Sequence, residues 1–138
     1  MDKNRSELFG QFSYDDSLTY EELLVLEKSL MAEIREILLQ AGAVHLDFTP
    51  MGDALMCQCA FESHQLEIYR DIAEATARHL PHGVNGRLLC LDKNLAVQHL
   101  YWIMRGQWQE EEKILPQLAP DGAEVYHVSV EETTDAAL

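Results

Sequence analysis

The sequence predicts an α+β fold, a two-layer sandwich of a mainly antiparallel sheet in the order α-β-β-α-β-β-β-β with two helices on one face. Three observations predict it. Two capped segments, 18–41 and 63–80, repeat their apolar residues with the period of helices. The stretches between and after them alternate with the period of strands. The links between those stretches are of hairpin length, which antiparallel pairing allows and parallel pairing does not. With 138 residues, 47% hydrophobic and 25% charged, the chain suits one globular domain. It divides into an N-terminal arm (1–17), a domain (18–130) and an acidic tail (131–138).

The arm holds Phe9, Phe12 and Tyr14 without a clear period, the pattern of a segment that docks on its own domain or on a neighbouring subunit. At Thr19 a helix can begin, because Glu22 three residues on completes a capping box and Leu18 with Leu23 supplies a hydrophobic staple. Gly42 can stop it in the left-handed conformation after Ala41. Leu23, Leu26, Leu30, Ile34, Ile37 and Ala41 form its core stripe, widened by Leu24, Met31 and Leu38. Val25, Ala32 and Leu39 line the opposite side, and Glu27 falls inside the apolar face, where an acid needs a partner. The second apolar line predicts a subunit contact, and with it a homodimer.

Residues 43–49 and 54–61 alternate around the turn residues Pro50-Met51-Gly52-Asp53 and so form a hairpin. A four-residue loop would pair Thr49 with Ala54, Phe48 with Leu55, Leu46 with Cys57 and Val44 with Cys59. Ser63 can cap a second helix over 64–80, which Pro81 and Gly83 end; Arg70, Glu74 and Arg78 stand at ion-pair spacing along its wet face. Residues 86–93, 95–104 and 107–115 then read as a three-stranded meander, and 123–130 as a last strand. Residues 95–105 also fit a short helix through Val97, Leu100, Tyr101, Met104 and Trp108, but β-branched and aromatic residues and the flanking turns favour the strand.

Charge narrows the function classes. Ten Lys and Arg against 24 Asp and Glu give −14, so a phosphate backbone meets repulsion and direct nucleic-acid binding is disfavoured. Half of that excess lies in residues 107–138, which suits a solvated tail, a surface for a basic partner, or mimicry of DNA. No apolar run approaches the roughly 20 residues of a membrane span, and residues 1–10 lack the apolar stretch of a secretory signal. Three cysteines suit a reducing compartment, so a cytoplasmic address without membrane partners is expected.

Few residues carry a chemical signal. Cys57 and Cys59 point the same way along a strand and could hold a metal, but they share the apolar face of the hairpin and read as buried core, as does Cys90. Pro81 separates His79 from His82, and His64 has no second histidine at helical spacing, so it reads as a surface residue; no metal and no cofactor are expected. Phosphate-binding glycine loops and nucleophile-elbow motifs are missing. A two-residue turn at Arg105-Gly106 pairs Ile103 with Trp108, Tyr101 with Glu110, His99 with Glu112 and Val97 with Ile114. That sets His99, Tyr101, Glu110 and Glu112 on one face, weak candidates for acid–base catalysis and equally the ordinary pairs of a half-exposed sheet.

The leading expectation is a non-enzymatic acidic protein-binding module, an adaptor, regulator or chaperone-like homodimer. Its contacts would be Val25, Ala32 and Leu39 on the first helix and Trp102 and Trp108 on the meander. Size, acidity and the surplus apolar surface are loosely similar to bacterial secretion chaperones, a likeness of fold class with no shared motif. A small-ligand or sensor domain would use a sheet face lined by Tyr101, Trp102, Trp108 and His99, and an acid–base enzyme would centre on His99, Glu110 and Glu112.

Overall fold

The computed structural model describes residues 6–93, 97–114 and 128–130. Seven strands among them form one sheet: β1 (Ser6–Tyr14), β2 (Val44–Pro50), β3 (Ala54–Phe61), β4 (Val84–Asp92), β5 (Val97–Met104), β6 (Gln107–Ile114) and β7 (Val128–Val130). Their spatial order is β2-β3-β1-β4-β5-β6-β7, and every neighbouring pair is antiparallel. Helices α1 (Tyr20–Gln40) and α2 (Leu66–His79) cover one face of the sheet. The α+β sandwich is therefore as its periodicities predict. Residues 115–127 and the acidic tail at 131–138 lie outside the described residues.

The arm differs from expectation. Ser6–Tyr14 is a strand, inserted between β3 and β4 at the middle of the sheet. Leu8 and Phe12 alternate inward as a strand requires, but Ser6 and Gly10 hold the other inward places and break the apolar pattern. Gly10 has a reason to be glycine, since a Cβ there would lie 2.7 Å from Cys57 Sγ. Gly86 on β4 has the same reason, because a Cβ would lie 2.6 Å from the Phe12 ring.

Helix α1 begins as read: Glu22 N–H donates to Thr19 Oγ1 at 3.1 Å, and Thr19 N–H donates to Glu22 Oε1 at 2.9 Å. Gly42 stops it with φ +97°. Leu30, Ile34 and Leu38 are the buried centre of its core stripe. Glu27 has its partner, the Tyr14 hydroxyl, which donates to Oε2 at 2.8 Å; burial and this carboxylate together raise the Tyr14 phenol far above its ordinary value.

The β2–β3 hairpin forms with its register two residues from the expected one. Phe48 pairs with Cys57 and Pro50 with Leu55, because Met51 N–H closes the turn on Ala54 O at 2.8 Å. A shift of two keeps each side chain on its face. A bulge between Val44 and Asp47, where His45 takes φ +57°, then brings Val44 opposite Ala60.

Helix α2 starts later than its capping signal suggests. Its N-cap is Gln65, with no side-chain cap, and Ser63 instead turns its carbonyl to the Ser6 hydroxyl at 3.2 Å. Residues 97–104 are the strand, not the short helix, and the β5–β6 register is the predicted one throughout, from Val97↔Ile114 to Ile103↔Trp108. Gly106 in the turn adopts φ +78°, and its N–H donates to Ala77 O at 2.8 Å, tying the hairpin to the end of α2.

Candidate ligand site on the helix-covered face

The register of β5 and β6 places His99, Tyr101, Glu110 and Glu112 together, as expected, but on the face that α2 covers. Tyr101, His99 and Glu110 are buried, so this is not a half-exposed sheet surface. A buried carboxylate must be compensated. Arg70 of α2 supplies the compensation: Nε lies 3.1 and 3.2 Å from the two Glu110 oxygens and Nη2 lies 2.9 Å from Oε1. The Tyr101 hydroxyl adds a fourth bond to Glu110 Oε2 at 2.7 Å. Burial opposes the Glu110 charge, yet the guanidinium and the hydroxyl outweigh it and hold the carboxyl below its usual value. Burial and the neighbouring Glu110 carboxylate push the Tyr101 phenol far up. Arg70 thus bonds across to β6, whereas Arg78 keeps its predicted pair with Glu74 at 3.2 Å. Glu74 also accepts from Trp108 Nε1 at 3.1 Å, and these two donors lower its carboxyl.

Two residues along the same strands, the polar groups are less completely matched. His99 Nε2 donates to Glu112 Oε2 at 3.0 Å, and His99 Nδ1 has no hydrogen-bond partner among the described residues. The His99 side chain is only 5% exposed. Against it, with ring centroids 5.4 Å apart, lies His64 from the β3–α2 connection. His64 is 19% exposed and so is not the surface residue its sequence context suggested. Tyr69 presents an edge to it at 5.2 Å and shares a hydrogen bond with Ser6, while burial pushes the Tyr69 phenol up to about 12. Asp92 Oδ1 is 3.9 Å from His64 Nδ1, too long for a hydrogen bond, and both His64 nitrogens are unpartnered among the described residues. Burial lowers the His64 pKa, and nearby His99 adds to this, while Asp92 opposes it.

Two imidazoles are therefore flanked by two carboxylates, Asp92 and Glu112, and three ring nitrogens lack partners. Sequence spacing found His99 and Glu112 through the hairpin register. It missed Arg70 and His64, which reach the site because α2 and the connection before it pack on β5 and β6, and Asp92, which the end of β4 brings beside β5. Among the described residues no group of three or more His, Cys, Asp or Glu side chains is disposed to hold a metal ion.

The other candidate residues lie elsewhere. Trp102 is on the opposite face, under Arg87, whose guanidinium carbon is 5.8 Å from the ring centroid, so the set Tyr101, Trp102, Trp108 and His99 cannot line one pocket. Trp108 and Tyr101 stay together, centroids 5.9 Å apart. Cys57, Cys59 and Cys90 are buried and free; burial pushes the first two thiols up to about 12 and the third well above its usual value. Val25 and Leu39 are 73% and 50% exposed, and Ala32 is exposed between them.

No protein-family model and no curated protein matches this chain. Among solved structures it is similar to the crystal structure of the adenylyl cyclase CyaB from P. aeruginosa, at 15% identity and a TM-score of 0.39, over 99% of this chain and 72% of that one. At that similarity neither activity nor substrate passes to this chain. The expectation of a non-enzymatic adaptor, regulator or chaperone-like homodimer is nevertheless corrected. Nothing among the comparisons or the described residues supports a protein-interaction role. The α1 stripe that prompted the homodimer consists of exposed side chains of a kind that monomer surfaces carry routinely. No helix among the described residues is long and apolar enough to cross a membrane.

Proposed function

We propose that the His64–His99 cluster binds a small molecule, and that the chemistry it offers is proton transfer by a carboxylate-oriented imidazole. The observation that carries this is the unpartnered His99 Nδ1 on a side chain 5% exposed. Buried polar atoms are nearly always matched, so such an atom calls for a ligand or a water. The Glu112 carboxylate accepts from Nε2 and leaves Nδ1 on the other side of the ring without a partner, the arrangement by which a carboxylate orients a histidine for general-base work. His64, kept neutral by burial, stands beside it as a second donor and acceptor. Three buried free thiols support a reducing, cytoplasmic setting for this chemistry.

Nuclear magnetic resonance of the histidine rings tests the proposal. His99 is expected to carry a hydrogen-bonded proton on Nε2. A fragment library should contain compounds that shift the His64 and His99 ring signals in the native protein and leave His99→Phe unmoved. No such fragment, together with ordered waters matching all three nitrogens in a crystal structure, refutes the ligand site.

A further inference from the structure

We infer that the face of the sheet opposite α1 and α2 binds a small oxyanion, a carboxylate or a phosphate, at the guanidinium of Arg87. The site is a hollow of about 280 Å³ bordered by Gln11, Ser13, Asn85, Arg87, Trp102 and the backbone of Gly86. Strand register builds it. Gln11 of β1 and Trp102 of β5 stand on either side of Arg87 on β4, and Ser13 stands opposite Asn85 in the adjoining pair. Their side chains alternate with buried Phe12, Leu88 and Tyr101, and so leave the sheet away from the helices.

Two contacts hold the arginine in place. Its Nη2 donates to Gln11 Oε1 at 2.7 Å, and its guanidinium carbon lies 5.8 Å from the centroid of the Trp102 ring. Stacking uses the flat face of a guanidinium, whose N–H groups point outward in its plane, so the edge stays open to an acceptor. A ligand then finds the side chain already ordered, which lowers the entropy cost of binding. The bond from Arg87 occupies the oxygen of the Gln11 amide and leaves its NH2 as a second donor at the hollow, where Ser13 and Asn85 add a hydroxyl and an amide.

Charge singles out the same place. The chain carries −14, yet Arg87 has no carboxylate partner among the described residues, whereas Arg70 and Arg78 each have one. The outward positions around it, Phe9, Gln11, Ser13, Asn85, Leu89 and Trp102, are all uncharged. An incoming oxyanion therefore meets one fixed cation among neutral donors, while the acidic residues of the two helices lie behind the sheet.

The test titrates the full chain with sodium phosphate and with sodium acetate, each against sodium chloride at matched ionic strength, following the Trp102 indole and Arg87 Nε–H signals by nuclear magnetic resonance. Saturable shifts with at least one oxyanion and none with chloride are expected, and the anion that binds tells phosphate from carboxylate. Trp108 and the His64 and His99 rings lie on the other face and should not move, so failure here leaves the ligand-site proposal above standing. Arg87→Gln, at an exposed position, should weaken binding roughly tenfold or more, as loss of a charge-assisted bond does, with unchanged His64 and His99 signals reporting an intact fold. No saturable shift with either oxyanion, shifts that chloride reproduces, or equal affinity in Arg87→Gln overturns the site.

Discussion

Arg70 on α2 and Glu110 on β6, forty residues apart in sequence, meet in a bidentate ion pair with N···O distances of 2.9 to 3.2 Å. The pair fastens the second helix to the far half of the sheet and so fixes the depth at which His64, just ahead of that helix, meets His99. Because Glu110 is buried and Arg70 is partly exposed, removal of the arginine strands a buried charge. Arg70→Met should therefore cost about 2 kcal/mol in urea unfolding, and Arg70→Met with Glu110→Gln less than the sum of the two single changes.

The same pair sets an acid response. The Glu110 carboxyl is held below its unfolded value of about 4.3 in the folded protein, so its contribution to stability is complete above that pH. It is lost as pH falls through the folded value. Unfolding curves from pH 6 down to pH 3 should show the native protein losing more stability than Glu110→Gln. Equal losses would mean that other carboxylates govern the acid limb.

His64 acts with the same sign through a base. Burial favours its neutral form in the folded state, so stability is complete above the unfolded value of about 6.5 and falls as pH drops through the lower folded value. His64→Gln should flatten the stability profile between pH 7 and pH 5, measured at fixed ionic strength.

These features were unevenly legible in the sequence. The β5–β6 register could be read residue by residue, because a two-residue turn at Arg105-Gly106 leaves one closure that matches the alternation on both strands. The α1 cap was equally plain, since Thr19 and Glu22 are a local device. Strand β1 was hidden by Ser6 and Gly10, residues chosen for a hydroxyl partner and for room beside Cys57, not for apolarity. The start of α2 was misplaced because Ser63 looks like a cap but serves Ser6 with its carbonyl. Half of the site depends on that helix crossing the sheet, a tertiary fact with no periodic trace. Thr19→Ala should accordingly cost about 1 kcal/mol in thermal unfolding, while Ser63→Ala should cost α2 nothing as a cap.

The cysteines give a chemical check on the packing. All three are buried, and a thiol raised to about 12 carries very little thiolate at neutral pH. Modification of Cys57 and Cys59 by an aromatic disulfide reagent should run on the order of a thousandfold slower in the folded protein than in denaturant. A fast-reacting thiol in the native protein would show that the β1–β3 layer opens.

Gly86 on β4 and Phe12 on β1 test the centre of the sheet. A methyl group on Gly86 would come 2.6 and 2.7 Å from two carbons of the Phe12 ring, closer than carbon atoms pack. Phe12 is fully buried against the helices, so the ring cannot swing out to make room. Gly86→Ala should therefore cost about 1–3 kcal/mol by overpacking, although Gly86 has no positive φ and alanine suits a strand backbone better than glycine does. The clash belongs to the ring, so a smaller residue should relieve it. In Phe12→Leu the Gly86→Ala change should cost much less than in the native background, giving a coupling free energy of about 1 kcal/mol in a double-mutant cycle. Additive costs would place the strain in the β4 backbone and not in the Phe12 contact.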